Sequence, residues 1–243
     1  MSSFLPRRMM FGRATMCRLA LSTLLAASAA PLQAQQHIYN LNNSYADVYG
    51  GPSLSPIGGV FTSSGFVFAF NEGLSLTGVV GSTYTIAVRS SFDDVTGWRR
   101  LIEYQSRTSD NGVYSYNGQA NFYPYQLATN AVYTPGLLAL SLFTRDATGL
   151  FTAYVDGAFQ YSFLDTAGDG LVDAGNTVNF FQDDLAVPNE ASSGTVNYIA
   201  TWDYALSARD AGSFQPGVVP EPASLALVAV GLAGVFAARR RRK

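Results

Sequence analysis

Phe151-Thr152-Ala153-Tyr154-Val155-Asp156-Gly157-Ala158-Phe159-Gln160-Tyr161 reads as two β-strands joined by a two-residue turn. Asp156-Gly157 supplies the positive backbone φ that a type I′ hairpin turn requires, and the flanking residues include β-branched and aromatic side chains. Working outward, similar short runs recur between Gly, Asn, Asp and Ser at 65–70, 74–80, 83–90, 99–105, 113–116, 121–126, 137–144, 177–182 and 196–204. In Tyr84-Thr85-Ile86-Ala87-Val88-Arg89 the alternation turns Tyr84, Ile86 and Val88 to one side of a sheet. Only residues 207–212 read as helical. Short strands at regular spacing, with little charge and many aromatics, predict an all-β fold, a two-sheet antiparallel jelly-roll sandwich.

Of 243 residues, 35–214 form this single domain, 215–218 a short linker, and the two ends read separately. The whole-chain net charge is -2, but most basic residues sit at the ends. Between 35 and 218 there are six arginines, no lysine and sixteen carboxylates, a net charge of -10. Such a body repels phosphate backbones, so nucleic acid is excluded as a partner. Cys17 is the only cysteine and precedes the body, which therefore has no disulfide and no thiol nucleophile. His37, the only histidine, is expected in a frayed terminus with no metal or catalytic role.

Residues 1–34 carry Arg7, Arg8, Arg13 and Arg18 and then an apolar run over 19–30 ending in small residues. This is the pattern of a secretory signal peptide, with cleavage after Ala34 in Leu32-Gln33-Ala34 and Ala27-Ser28-Ala29 as an alternative site. At the other end, Val219-Pro220-Glu221-Pro222 leads into sixteen uncharged residues, 223–238, and then Arg239-Arg240-Arg241-Arg242-Lys243. Sixteen helical residues reach about 24 Å of the roughly 30 Å hydrocarbon core, a short transmembrane helix. Five snorkelling cations and a proline at the helix entry favour insertion, with the cations cytoplasmic and the acidic body outside.

The order Pro-Glu-Pro, short apolar helix, basic cluster over 219–243 resembles the PEP-CTERM sorting tail. That resemblance implies an exosortase that recognises Pro220, Glu221 and Pro222 and removes the helix, in a host that makes exopolysaccharide. It also implies a transient inner-membrane anchor followed by release to the cell surface or extracellular matrix.

From residue 140 onward the body resembles the laminin G-like and concanavalin A-like lectin and glucanase group. The resemblance rests on Leu140-Ser141-Leu142-Phe143-Thr144-Arg145-Asp146, the Tyr154-Val155-Asp156-Gly157 turn, Asp183-Asp184, Glu190-Ala191-Ser192-Ser193-Gly194, and the closing run Tyr198 to Ser207. It implies the fold more than any function.

Catalysis is not expected. A glucanase of this group would carry Glu-x-Asp-x-x-Glu on one strand, and the body has only Glu72, Glu103 and Glu190, in unrelated contexts. No Gly-x-Ser-x-Gly elbow occurs. The acidic loop 165–173 matches a calcium loop poorly, because Ala167 and Asn176 replace ligands. Asp183, Asp184 and Glu190, with Asn189 beside them, are the metal candidates. Such close carboxylates need solvent, strand-end amides or a hard cation such as Ca²⁺. Tyr114, Tyr116, Phe122, Tyr123 and Tyr125, interleaved with Asn117, Gln119 and Asn121, could offer rings and amides to sugars. Alternation turns half of those rings toward the core, and Trp98 beside Arg99 and Arg100 reads either as packing or as binding. The expected function is a non-enzymatic surface or matrix protein that binds polysaccharide, with a glycan hydrolase or a calcium-stabilised adhesion module as alternatives.

Overall fold

The computed structural model describes residues 36–216. The signal peptide expected over 1–34, the sorting residues Pro220, Glu221 and Pro222, and the membrane span expected over 223–238 lie outside them. Among the described residues no helix is long and apolar enough to cross a membrane.

Fifteen strands and one short helix make up this region. In chain order the strands are β1 (Gln36–Tyr39), β2 (Ser55–Ile57), β3 (Val60–Thr62), β4 (Gly65–Phe68), β5 (Gly73–Thr77), β6 (Tyr84–Phe92), β7 (Trp98–Glu103) and β8 (Gly112–Tyr116). There follow β9 (Gln119–Tyr123), β10 (Gln126–Ala131), β11 (Ala139–Arg145), β12 (Leu150–Val155), β13 (Ala158–Leu164), β14 (Thr177–Phe180), β15 (Gly194–Trp202) and the helix α1 (Ala208–Ser213). One sheet runs β13-β12-β11-β6-β15-β4-β3, with β1 added against β15. The other runs β10-β9-β8-β7-β14-β5-β2. Both sheets are antiparallel throughout.

The turn that decides the fold forms as its residues require. Asp156 and Gly157 have φ of 48° and 77°, and Val155 pairs with Ala158 across them. Alternation on β6 also holds, since Tyr84, Ile86 and Val88 are fully buried between the sheets. Rings from both sheets meet there, Phe122 of β9 lying 4.8 Å from Phe151 of β12 and 5.0 Å from Phe163 of β13. The opposite face of β6 and β15 carries a smaller apolar cluster of Ala87, Tyr198 and Trp202, closed by Ala211 of α1 and by Phe214. Ser207 caps α1 by accepting the Asp210 amide at 3.2 Å.

His37 is not in a frayed end: β1 pairs with the long strand β15, and His37 is buried with its Nδ1 2.7 Å from Asp47 Oδ2. Burial pushes the Asp47 carboxyl up, but the amides of Ile38, Tyr49 and Gly51 and the His37 ring outweigh it and hold the group below its ordinary value.

Candidate functional site

Residues directly opposite in an antiparallel ladder share a face of the sheet. On β7, β8 and β9, Trp98 stands opposite Tyr116, Arg100 opposite Tyr114, Tyr114 opposite Asn121, and Gly112 opposite Tyr123. Val113 and Phe122, one step out of phase, are core residues. The aromatic run therefore divides as alternation anticipates, and the outward half gathers around Trp98. Its ring centroid is 4.2 Å from Tyr116 and 5.4 Å from Tyr114 and Tyr123. Trp98 and Tyr116 are part-exposed and Tyr123 is 36% exposed, so solvent reaches this platform. Tyr125 departs from the group, stacking on Phe163 at 4.7 Å and donating to Asp169.

Beside the platform lies a charged cluster with Arg100 at its centre. Arg100 is fully buried; its Cζ sits 3.9 Å from the Tyr114 ring centroid, a desolvated cation over a π face. Its guanidinium donates to the Asp184 carboxylate, to Asn111 O at 3.0 Å and to Asp110 O at 3.3 Å. Asp183 Oδ1 and Asp110 Oδ1 each lie 3.8 Å from a guanidinium nitrogen. Tyr114 OH is 2.9 Å from both the carbonyl oxygen and Oδ1 of Asp110, to which it donates.

The segment after β14 holds the acids through its own backbone. Asp184 Oδ1 accepts the amides of Ala186 and Val187 at 2.6 and 2.7 Å, and Asp183 Oδ2 accepts the Glu190 amide at 2.6 Å. The Arg100 amide in turn donates to Glu190 O at 2.8 Å, tying β7 to this segment. Asp183, Asp184 and Glu190 are thus brought together, and the cation they meet is Arg100. The set of carboxylate oxygens within 4.8 Å of one another is Asp110, Asp184 and Glu190. Burial first, and then the Asp110 carboxylate, push Glu190 up to about 7 against the lowering influence of the Tyr114 hydroxyl. Burial also raises Asp183, opposed by the Glu190 amide and Arg100.

The loop 165–173 closes on a different arginine. Asp165 accepts Arg145 Nε at 2.8 Å and the amides of Gly168, Asp169 and Gly170 at 2.9 to 3.1 Å. Its carboxylate is therefore occupied in shaping the turn. Asp110 and the central place of Arg100 were missed in the sequence. Asp110 lies in a polar loop with no motif around it, and Arg100 reaches Asp184 from 84 positions away.

Residues 218–242 match the PEP-CTERM protein-sorting motif. The chain accordingly carries the signature of an exported, sorted surface protein, anchored at its C-terminus before processing by exosortase. No curated protein gives a significant sequence match. Among solved structures, domain 4 of AbnA, an extracellular GH43 arabinanase from Geobacillus stearothermophilus solved with arabinotriose, is similar at a TM-score of 0.54 and 15% identity. That match covers 74% of this chain and 97% of that domain. The botulinum neurotoxin serotype D binding domain is similar at a TM-score of 0.54 and 11% identity, over 74% of this chain and 50% of the toxin chain. Trypanosoma rangeli sialidase gives 0.55 and 14%, over 73% of this chain and 31% of the enzyme. At such identities the likeness is one of fold.

Proposed function

We propose that residues 36–216 form a non-enzymatic polysaccharide-binding module of concanavalin A-like jelly-roll type. In this reading the module is delivered by its tail to the cell surface or extracellular matrix, where it also serves as a structural component. The carrying observation is the part-exposed platform of Trp98, Tyr116 and Tyr123 on one sheet face. Sugar C–H faces stack on such rings, and the neighbouring Asp110 and Glu190 carboxyls accept from hydroxyls. The arabinotriose-bound arabinanase domain, which the chain covers almost end to end in fold, supports carbohydrate as the ligand class. Arg100 neutralises the acids, which favours a fixed polar wall over a reacting centre. A Ca²⁺ ion at Asp183, Asp184 and Glu190 would have to share those oxygens with a buried guanidinium, a poor fit for a divalent cation.

A hydrolase is the second reading. Carboxyl oxygens of Asp110, Asp184 and Glu190 within 4.8 Å approach the roughly 5–5.5 Å pairing of retaining glycosidases, and a Glu190 carboxyl near pH 7 suits a general acid. A glycan array on the full-length protein, followed by a reducing-end assay on any glycan retained, separates the two. Retention without new reducing ends is the expected result; release that Glu190→Gln abolishes would establish the hydrolase instead.

A further inference from the structure

A groove of about 410 Å³ lies on the sheet that does not carry Trp98. Asn40 and Asn42 beyond β1, Ser63 and Ser64 in the β3–β4 turn, Arg89 on β6 and Asn197 on β15 line it, with Tyr198 beside them. Its size falls within the ~300–1,000 Å³ of small-molecule sites. No carboxylate lines it, and Arg89 is its only charged residue.

Arg89 differs from the other arginines that are not fully exposed. Arg99 pairs with Asp94, Arg100 with Asp184, Arg145 with Asp165, and Arg107 donates to Asp183 O. Arg89 is half-buried on a central strand, opposite Tyr198 on one side and Leu140 on the other, and makes no side-chain hydrogen bond or ion pair among the described residues. In a body of net charge -10 every other such guanidinium finds an acceptor. Five fixed donors facing a groove of amides and hydroxyls are left for something else. The polar wall is also incompletely matched. The ladder slips between Val196 and Tyr198, a bulge that re-aims Asn197. Asn197 Oδ1 and the Tyr198 hydroxyl are both buried without a hydrogen-bond partner.

A planar guanidinium selects a carboxylate, which it grips with two parallel hydrogen bonds, and neutral amides and hydroxyls around it select hydroxyl groups. We propose that this groove binds a carboxylate-bearing sugar unit of an acidic polysaccharide. The site lies on a different sheet from Trp98 and stands independently of what the aromatic platform binds. Repulsion between the acidic body and a polyanion is screened beyond about 8 Å at physiological salt, so it slows approach without opposing the local contact.

The test is calorimetric titration of the full-length protein, at physiological salt, with trigalacturonate and with its neutral methyl ester. Trigalacturonate is expected to bind at least tenfold more tightly than the ester. Arg89→Gln should remove that tenfold preference, Arg89→Lys should keep part of it, and Trp98→Ala should leave it intact. Melting temperatures of the variants establish that each is folded. The proposal is overturned if trigalacturonate does not bind, if folded Arg89→Gln binds it as the wild type does, or if inorganic sulfate competes as well as galacturonate. Loss of neutral-glycan binding in Trp98→Ala, with the galacturonate preference retained, would separate the fate of the platform from that of the groove.

Discussion

Arg100 pairs with three carboxylates, Asp110, Asp183 and Asp184, and its removal would leave them buried or half-buried without a counter-charge. Breaking a buried ion pair on one side costs about 3–5 kcal/mol, so Arg100→Met is expected to lower stability by that amount in urea unfolding. Chelation by EDTA should leave the melting temperature of the wild type unchanged; a fall of several degrees would instead assign the cluster to calcium. Glu190 gives the cluster a pH signature. Its carboxyl rises from an ordinary 4.5 to about 7 on folding, so between those values the folded chain binds more protons than the unfolded one. Stability therefore falls as pH rises from about 5 to about 7, and Asp183, also raised, adds in the same sense from lower pH. Asp94, held down to about 2 by the Thr96 amide and Arg99, acts with the opposite sign and only at lower pH. Because Glu190 is part-exposed, solvent screening limits its effect to roughly 1 kcal/mol, and Glu190→Gln should flatten the pH dependence of the urea midpoint. A midpoint that rises with pH across this window would contradict the assignment. The acids 183, 184 and 190 were legible because they are close in sequence; their counter-charge was not, because only the pairing of β7 with β14 brings it to them.

At the scale of elements, what was legible followed from strong local chemistry. Asp156-Gly157 accepts only a few backbone shapes, and the alternating run on β6 buries one face or nothing. Gly157 has a further reason for its identity, because a Cβ there would lie 2.5 Å from Gly212 O in α1. With φ at 77° and that contact, Gly157→Ala is expected to cost about 1–2 kcal/mol, read as a lower urea midpoint with no change in glycan retention. A midpoint equal to the wild type would mean that α1 shifts freely. The strands that escaped the sequence carry no such pattern. Edge strand β2, Ser-Pro-Ile, is exposed at all three residues, β3 is three residues long, and β10 is half polar and mostly exposed. Their pairing is set by β5, β4 and β9, which lie beside them in the folded sheets. His37 was misjudged for the same reason, since only the register of β1 on β15 buries it beside Asp47.

The whole molecule separates address from task. The motif over 218–242 marks the chain for export and sorting, while the sandwich ahead of it carries an aromatic platform on one sheet and a polar, singly charged groove on the other. Protein recovered from cells that have the exosortase is expected to end near Pro220 to Pro222 by mass spectrometry, and an intact Lys243 in that mature form would contradict processing. The sorting motif was legible, because Pro-Glu-Pro, a short apolar run and a basic end are contiguous. The aromatic face was half legible, because the rings were visible in the sequence but the face they share with Trp98 required the register of β7 on β8. Binding of polysaccharide by that face is the central claim. It is tested most directly by probing one glycan array in parallel with wild-type protein, Trp98→Ala and Tyr123→Ala. Retention of at least one neutral glycan by the wild type, weakened about tenfold (~1.4 kcal/mol) in both folded variants, is the expected result. A wild type that retains no glycan, or variants that retain it equally well, would contradict the claim.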